Sequence, residues 1–217
     1  MTVAVVIAAL LGAIFGFAAD RLSARWPVHE VGSVRGLDWR TPAVVAGGAL
    51  SFGLLAGRWS EPLDLAVLGV YVAALIVLLA TDLDQKLLPD LITFPLMGYA
   101  LVLLVLGLNP VLEGKTQALV ADGDLAAVLA AIAAPALLAV TDRVFHGALG
   151  MGDLKLAVSL GLMFGITQLF AGFLVGTIGF AVVVLALVLS GRVSMKTAVP
   201  FGPALIAAGV AAAVIQL

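Results

Sequence analysis

The chain contains no cysteine, which excludes disulfides, thiolate metal sites and a cysteine nucleophile. Charge is scarce as well: Asp, Glu, Lys and Arg make up 11% of its 217 residues, against roughly 25% in a soluble domain. The 11 Lys and Arg nearly balance the 13 Asp and Glu, for a net charge of −2, so bulk charge points to no nucleic-acid partner and to no acidic surface. Histidine is limited to His29 and His146, far apart and at no metal-ligand spacing, so no metal is expected. What is plentiful is apolar. Hydrophobic residues reach 63% and mean hydropathy is +1.23, the composition of an integral membrane protein with the lipid bilayer as its solvent.

Cutting the apolar runs at charged or Gly/Pro-containing breaks predicts about eight spans, near 2–20, 42–57, 62–82, 90–108, 124–142, 153–166, 167–190 and 200–217, judged against roughly 17–25 residues per crossing. The least marked division is at Gly165-Ile166-Thr167-Gln168, in a stretch with no charge after Lys155 that is too long for one crossing. The fold class is all-α, a polytopic transmembrane helix bundle, because backbone amides in hydrocarbon need internal partners and the alternation of barrel strands is missing. The Gly172 to Gly176 spacing reads as close helix packing within the bundle rather than as a dimer face. Met1-Thr2-Val3-Ala4 leads straight into apolar residues, with Arg21 and Arg25 beyond them, the pattern of a retained first helix and not of a cleaved signal. Alternate loops place Arg21, Arg25, Arg35, Arg40, Lys86, Arg143, Lys155, Arg192 and Lys196 on one side and only Arg58 and Lys115 on the other. The positive-inside tendency makes the first side cytoplasmic and turns both termini outward.

Two aspartates stand at the ends of apolar runs: Asp82 in Thr81-Asp82-Leu83-Asp84-Gln85-Lys86-Leu87-Leu88-Pro89-Asp90, and Asp153 in Gly150-Met151-Gly152-Asp153. A charge at such a place costs roughly 2.5–3.5 kcal/mol on insertion scales, so each is a functional candidate. The topology puts both at the cytoplasmic boundary. Hydrolysis of a peptide bond by two carboxylates needs one ionised, to take a proton from water, and one protonated, to polarise the carbonyl. Asp82 falls near the C-terminal end of its predicted helix and Asp153 near the N-terminal end of its own, so the helix dipoles favour a protonated Asp82 and an ionised Asp153 by about 0.3–1 kcal/mol each.

The surroundings admit more than one use. Gly150 and Gly152 leave room for another backbone to approach, while the same four residues also suit a plain turn with Asp153 as helix N-cap. Leu88-Pro89-Asp90-Leu91 reads as a helix start in which Asp90 caps the following span. Asp84 fits a supporting acid, a water-facing loop residue or the catalytic group in place of Asp82, and spacing does not choose among them. Lys86 and Lys155 suit stabilisation of nearby negative charge, but read first as positive-inside anchors. Asp142 and Arg143 read as the polar edge of the fifth span, and His146 as a loop residue.

Together these segments resemble the type IV prepilin peptidases, membrane aspartic proteases of the Gly-x-Gly-Asp kind. The resemblance rests on Thr81-Asp82-Leu83-Asp84 followed by Leu87-Leu88-Pro89-Asp90, on Gly150-Met151-Gly152-Asp153-Leu154-Lys155-Leu156, and on Pro200-Phe201-Gly202-Pro203 opening the last span. It covers roughly residues 62–217, which are expected to form the peptidase core. It implies that Asp82, the first aspartate of Asp-x-Asp, pairs with Asp153 in catalysis, and that Asp84, Lys86, Pro89, Asp90, Gly150, Gly152, Lys155, Pro200, Phe201, Gly202 and Pro203 support the site or position substrate. Residues 1–61 are expected to be N-terminal helices, a degenerate counterpart of the methylation region of larger members. Those members carry paired Cys-x-x-Cys motifs between their first two spans and also N-methylate the new terminus with S-adenosylmethionine; here cysteine is absent, and Arg40-Thr41-Pro42-Ala43-Val44-Val45 lacks the glutamate of the family's Pro-Leu-Val-Glu region. Peptidase activity is therefore implied and methylation is not carried over. The implied substrate is a type IV prepilin or pilin-like precursor with a basic leader, a glycine before the cut and an apolar helix after it, processed at the cytoplasmic face of the inner membrane without metal or organic cofactor.

Two other readings compete. A presenilin or signal-peptide-peptidase type of intramembrane protease shares Gly-x-Gly-Asp and a superficial Pro203-Ala204-Leu205, but does not account for Leu-Pro-Asp after the first aspartate or for a site at the interface. An ion-coupled transporter or assembly scaffold would use the same carboxylates to bind protons or cations, and would be marked by discontinuous helices or repeated halves.

Overall fold

Apolar runs in a bilayer have one cheap way to satisfy their backbone amides, the helix, and the described apolar runs take it. The computed structural model describes residues 2–27, 34–112, 123–144, 150–189 and 201–215. Among them are seven helices and no strand: α1 (Thr2–Ser23), α2 (Arg40–Arg58), α3 (Pro62–Gln85), α4 (Asp90–Leu106), α5 (Gly123–Val144), α6 (Met151–Leu189) and α7 (Gly202–Val214). Four segments, Val3–Ser23, Pro62–Gln85, Gly123–Val144 and Met151–Ala186, are long and apolar enough to cross a membrane. The protein is accordingly a multi-pass membrane protein. Its α1 exposes Val3, Ile7, Leu10, Leu11 and Ile14, a face that would be unfavourable in water and is at home in lipid.

The count of helices differs from the eight spans read from the sequence because the sixth and seventh are joined. α6 runs 39 residues but breaks at Gly165, whose φ of 66° and ψ of 178° are open essentially to glycine alone. A break inside an apolar bundle frees backbone groups that must find partners. The carbonyl of Met163 finds one in Asn109, whose Nδ2 donates to it at 2.8 Å from the segment after α4. Asn109 is 3% exposed, and its own Oδ1 accepts the backbone N–H of Val111. A single amide side chain thus anchors the end of α4 to the break in α6.

The interior is built around α3, with α6 and α7 against it. On α3 the buried stripe runs Leu68, Tyr71, Leu75, Leu78 and Asp82, in steps of three and four residues. On α6 the corresponding stripe is Asp153, Leu156, Leu160 and Phe164. The hydroxyls of Tyr71 and Ser159 hydrogen-bond at 2.9 Å across the two helices, and the Tyr71 ring meets Phe164 edge-on at 5.6 Å. α7 closes the group: at Gly209 an added methyl would strike Leu160 at 2.6 Å and meet Leu75 at 3.0 Å. Gly172 and Gly176 are covered by Ala208 and Ala212 of α7 within the same chain, in keeping with close packing inside the bundle. α1 and α2 cross with the backbones of Gly12 and Gly48 in direct contact, which makes them a stiff pair.

The break carries a testable consequence. Asn109→Ala leaves the Met163 carbonyl buried without a donor and is expected to lower stability by about 1–3 kcal/mol; Gly165→Ala forces a side chain into a glycine-only backbone region and is expected to cost a similar 1–3 kcal/mol. Thermal or denaturant unfolding in detergent checks both.

Candidate active site

The helix ends at one pole of the bundle supply the candidate residues. Asp82 sits in the last turn of α3, which closes at Lys86 in the left-handed region with φ 53°, the Lys86 N–H donating to the Asp82 carbonyl at 2.8 Å. Asp153 is the third residue of α6. Its Oδ2 accepts the backbone N–H of Gly150 at 2.9 Å, the backward half of a capping box, in which the third helical residue satisfies a donor just before the helix. Asp82 is 4% exposed and Asp153 8%, so both carboxylates are buried. They lie within electrostatic reach of each other.

The three motifs read from the sequence meet here. Gly202, at the start of α7, is seated on the Asp82 carboxylate: an added methyl would lie 2.6 Å from Oδ2 and 2.7 Å from Cγ. Gly152 is seated on Leu88 of the Leu-Pro-Asp segment, where an added methyl would lie 2.8 Å from the Leu88 Cβ. Lys155 Nζ reaches Asp90 Oδ1 at 2.5 Å and lies over the Phe94 ring at 4.7 Å. The Asp82 Oδ2 is buried and accepts no hydrogen bond among the described residues.

Several residues stand elsewhere than the sequence suggested. Pro89 holds the N-cap position of α4 and Asp90 is its first helical residue; no side chain caps that helix. Asp90 pairs instead with Lys155, because its carboxylate points across to α6. That gives Lys155 a partner from another segment. Phe201 precedes α7, and Pro203 lies in its first turn, where a missing N–H costs nothing. Pro200, His29, His146, Lys115, Arg192 and Lys196 lie outside the described residues.

Asp84 is drawn into a different neighbourhood. Two residues along a helix are about 200° apart around its axis, so Asp84 faces away from the Asp82 stripe. Its Oδ1 accepts from Arg40 Nη1 at 2.7 Å and lies 2.7 Å from Arg35 Nε. These arginines belong to a cluster the sequence reading did not single out. Its centre is Asp20, fully buried near the end of α1, whose carboxylate accepts from Arg35 Nη2 at 2.5 Å, from Thr41 Oγ1 at 2.8 Å and from Arg21. Asp38 joins through Arg35 Nη1 at 2.5 Å. Burial works against the charge on Arg35, but the carboxylates of Asp20, Asp84 and Asp38 outweigh it and raise the guanidinium above its ordinary range. The signal for this cluster was present: Asp20 is also a carboxylate at the end of an apolar run. Among the described residues no group of His, Asp or Glu converges as a metal site.

Comparison with known proteins follows the same segments. A family model described as the type IV leader peptidase family matches residues 69–191. A prepilin leader peptidase/N-methyltransferase of Bacillus subtilis (strain 168) is 30% identical over 176 residues, 81% of this chain and 66% of that protein. Another of that name from Burkholderia pseudomallei (strain 1026b) is 33% identical over 172 residues, 77% of this chain and 52% of that protein. The chain thus spans between half and two thirds of the length of the curated relatives it matches. No solved structure matches it significantly.

Gly152→Ala tests the seat of the Leu88-Pro89 segment. Because the obstruction is a Cβ with its own carbonyl behind it, at 3.3 Å, the backbone must shift, and a loss of about 1–3 kcal/mol is expected. Gly98→Ala on α4, which meets nothing within 4 Å, is expected to be tolerated in the same unfolding assay.

Proposed function

The chain belongs to the type IV leader peptidase family, and from that premise we propose that it is a membrane aspartic endopeptidase removing the leader of type IV pilin-like precursors at the cytoplasmic face, with Asp82 and Asp153 activating water. The observation that carries the reading is the convergence of the three motifs: Gly202 on the Asp82 carboxylate, Gly152 on Leu88, and Lys155 on Asp90. Residues 62–217 would hold this core and residues 1–61 would flank it.

The roles of the two aspartates follow from their hydrogen bonding. An ionised carboxylate is stabilised by backbone donors and by a helix N-terminus, and Asp153 has both. Asp82 lies at the opposite end of its helix dipole, with a buried oxygen that accepts no hydrogen bond among the described residues, the setting of a carboxyl that keeps its proton. Asp153 would take a proton from water as the water oxygen attacks the scissile carbonyl carbon, while Asp82 donates to the carbonyl oxygen. On collapse of the tetrahedral adduct the C–N bond breaks, Asp153 returns its proton to the leaving amine, and Asp82 recovers its own. Two carboxylates suffice for this cycle, with no metal or organic cofactor.

The substrate fits by chemistry. A precursor with a basic leader and an apolar helix would leave the leader in water and its helix in lipid, and so bring the scissile bond to the helix-end pole where both aspartates lie. The relatives' names also include N-methyltransferase; that activity is not proposed for this chain, which lacks the cysteines expected of the methylating members. The break in α6 is a feature of transporters too, but its freed carbonyl is taken by Asn109 inside the bundle, which favours a structural use.

Co-expression with a pilin-like precursor, read by gel shift and N-terminal sequencing, tests the proposal. Asp82→Asn and Asp153→Asn are each expected to lower cleavage by roughly 100-fold or more, with protein levels in the membrane maintained, whereas Asp84→Asn keeps measurable cleavage. Gly202→Ala is expected to displace the Asp82 carboxylate and cut the rate by up to about 100-fold. Unimpaired cleavage by both asparagine variants would sink the dyad and direct attention to ion flux in reconstituted vesicles.

A further inference from the structure

The N-terminal helix pair lies outside the stretch matched by the family model, which begins at residue 69, yet it makes the densest set of charged contacts in the described structure. Those contacts end on Asp84, two residues beyond Asp82 in the last turn of α3. A last helical turn is the part of a helix most prone to fray, because its carbonyls lack partners within the helix. This one is closed by a single left-handed residue, Lys86. Whatever rotates that turn rotates the Asp82 carboxylate with it.

We propose that α1, α2 and residues 34–39 just before α2 form a clamp on this turn: Arg35 and Arg40, braced by Asp20, grip Asp84 and thereby hold Asp82 in its working orientation. Asp84, Arg35, Arg40 and Asp20 are positioning residues in this reading, which rests on the peptidase assignment of Asp82. The geometry suits the task. Asp82 and Asp84 leave the helix about 200° apart, so α7 confines one face of the turn through Gly202 while the arginines confine the other. The brace is stiff because Asp20, at zero exposure, takes donors from Arg21, Arg35 and Thr41 at once, and because α1 and α2 cross backbone to backbone at Gly12 and Gly48. Removing one member of such a buried set leaves a charge without compensation. The carboxylate of Asp84 is then drawn toward water, and the turn follows.

The clamp predicts a loss in turnover without a loss in binding. Purified enzyme in vesicles, normalised to folded protein, is assayed on a pilin-like precursor as wild type, Arg40→Gln, Asp84→Asn, the double variant, Arg40→Lys and Asp82→Asn. Arg40→Gln and Asp84→Asn are each expected to lower kcat about tenfold with KM within about twofold. The double variant should be little worse than Asp84→Asn alone, since that change already removes the carboxylate that both arginines grip, and Arg40→Lys, which keeps the charge, should recover most of kcat. Should Arg40→Gln not fold, Arg40→Lys and Asp84→Glu provide the same comparison, with a smaller fall in kcat at constant KM expected. Full kcat in Arg40→Gln and Asp84→Asn, additive losses, a rise in KM at unchanged kcat, or a loss that tracks the unfolded fraction would each overturn the clamp. If those outcomes occur while Asp82→Asn is inactive, the clamp alone fails; if Asp82→Asn cuts like wild type, the dyad fails and the clamp with it.

Discussion

A carboxylate buried at the end of an apolar helix can be held in one place only if its neighbours leave it nowhere else to go, and in this protein the neighbour that does so is a glycine. Gly202 opens α7 directly on the Asp82 carboxyl group, a contact that any side chain at that position would prevent. From there α7 runs up the groove between α3 and α6, meeting Leu75 and Leu160 at Gly209. At its far end the Ala213 carbonyl accepts the indole N–H of Trp59 at 2.8 Å, so the helix seated on Asp82 is pinned to the segment after α2. The placement of the candidate catalytic group, the spacing of the helices that carry it and the docking of the C-terminal helix are one packing problem.

The polar groups of the interior follow a common economy. Hydrocarbon offers no water to complete a hydrogen bond, and several buried polar side chains are used to join two elements. Tyr71 with Ser159 links α3 to α6, and Asn109 links the end of α4 to the break in α6. Asp20 gathers α1, the segment before α2 and Thr41 of α2. The hydroxyl of Thr81 bonds to the Leu78 carbonyl within its own helix, and so does not serve its neighbour Asp82. Against that pattern the Oδ2 of Asp82, buried and accepting no hydrogen bond among the described residues, lies where the three sequence motifs meet.

Much of this was legible in the sequence, and the reasons differ by feature. The helices were readable because long apolar runs admit one secondary structure in a bilayer. The boundary at Gly165 was readable because a stretch from 154 to 190 is longer than a membrane is thick, although the outcome is one broken helix. Asp82 and Asp153 could be picked out because acidic residues are rare company for apolar runs, whereas Gly202 came only with the family resemblance. Two things were not legible. The partner of Asp90 was not, since capping is a local rule and the pairing with Lys155 spans 65 positions of chain. Nor was the bond between Asp84 and Arg40, 44 positions apart, which exists because α2 comes back alongside α3. Asp20 met the same criterion as Asp82 but was not singled out, because Arg35 and Thr41, which complete its cluster, reach it only through the fold.

The arrangement of helix ends explains why a site at this pole can be both buried and chemically asymmetric. Asp82 comes at the close of α3, where the dipole is negative, and Asp153 at the opening of α6, where it is positive. An up-and-down bundle necessarily brings a C-terminal end and an N-terminal end to the same pole, so two identical side chains placed there meet opposite fields without any further device. Similar chemistry could not be obtained from two aspartates on one helix, where both would share one dipole and one face or none. A pair drawn from two antiparallel helices needs in return a fixed separation, which Tyr71 and Ser159 set from within the bundle. It also needs a fixed rotation of each helix end, and for α3 the seat on Gly202 supplies half of that and the charged cluster around Asp84 the other half.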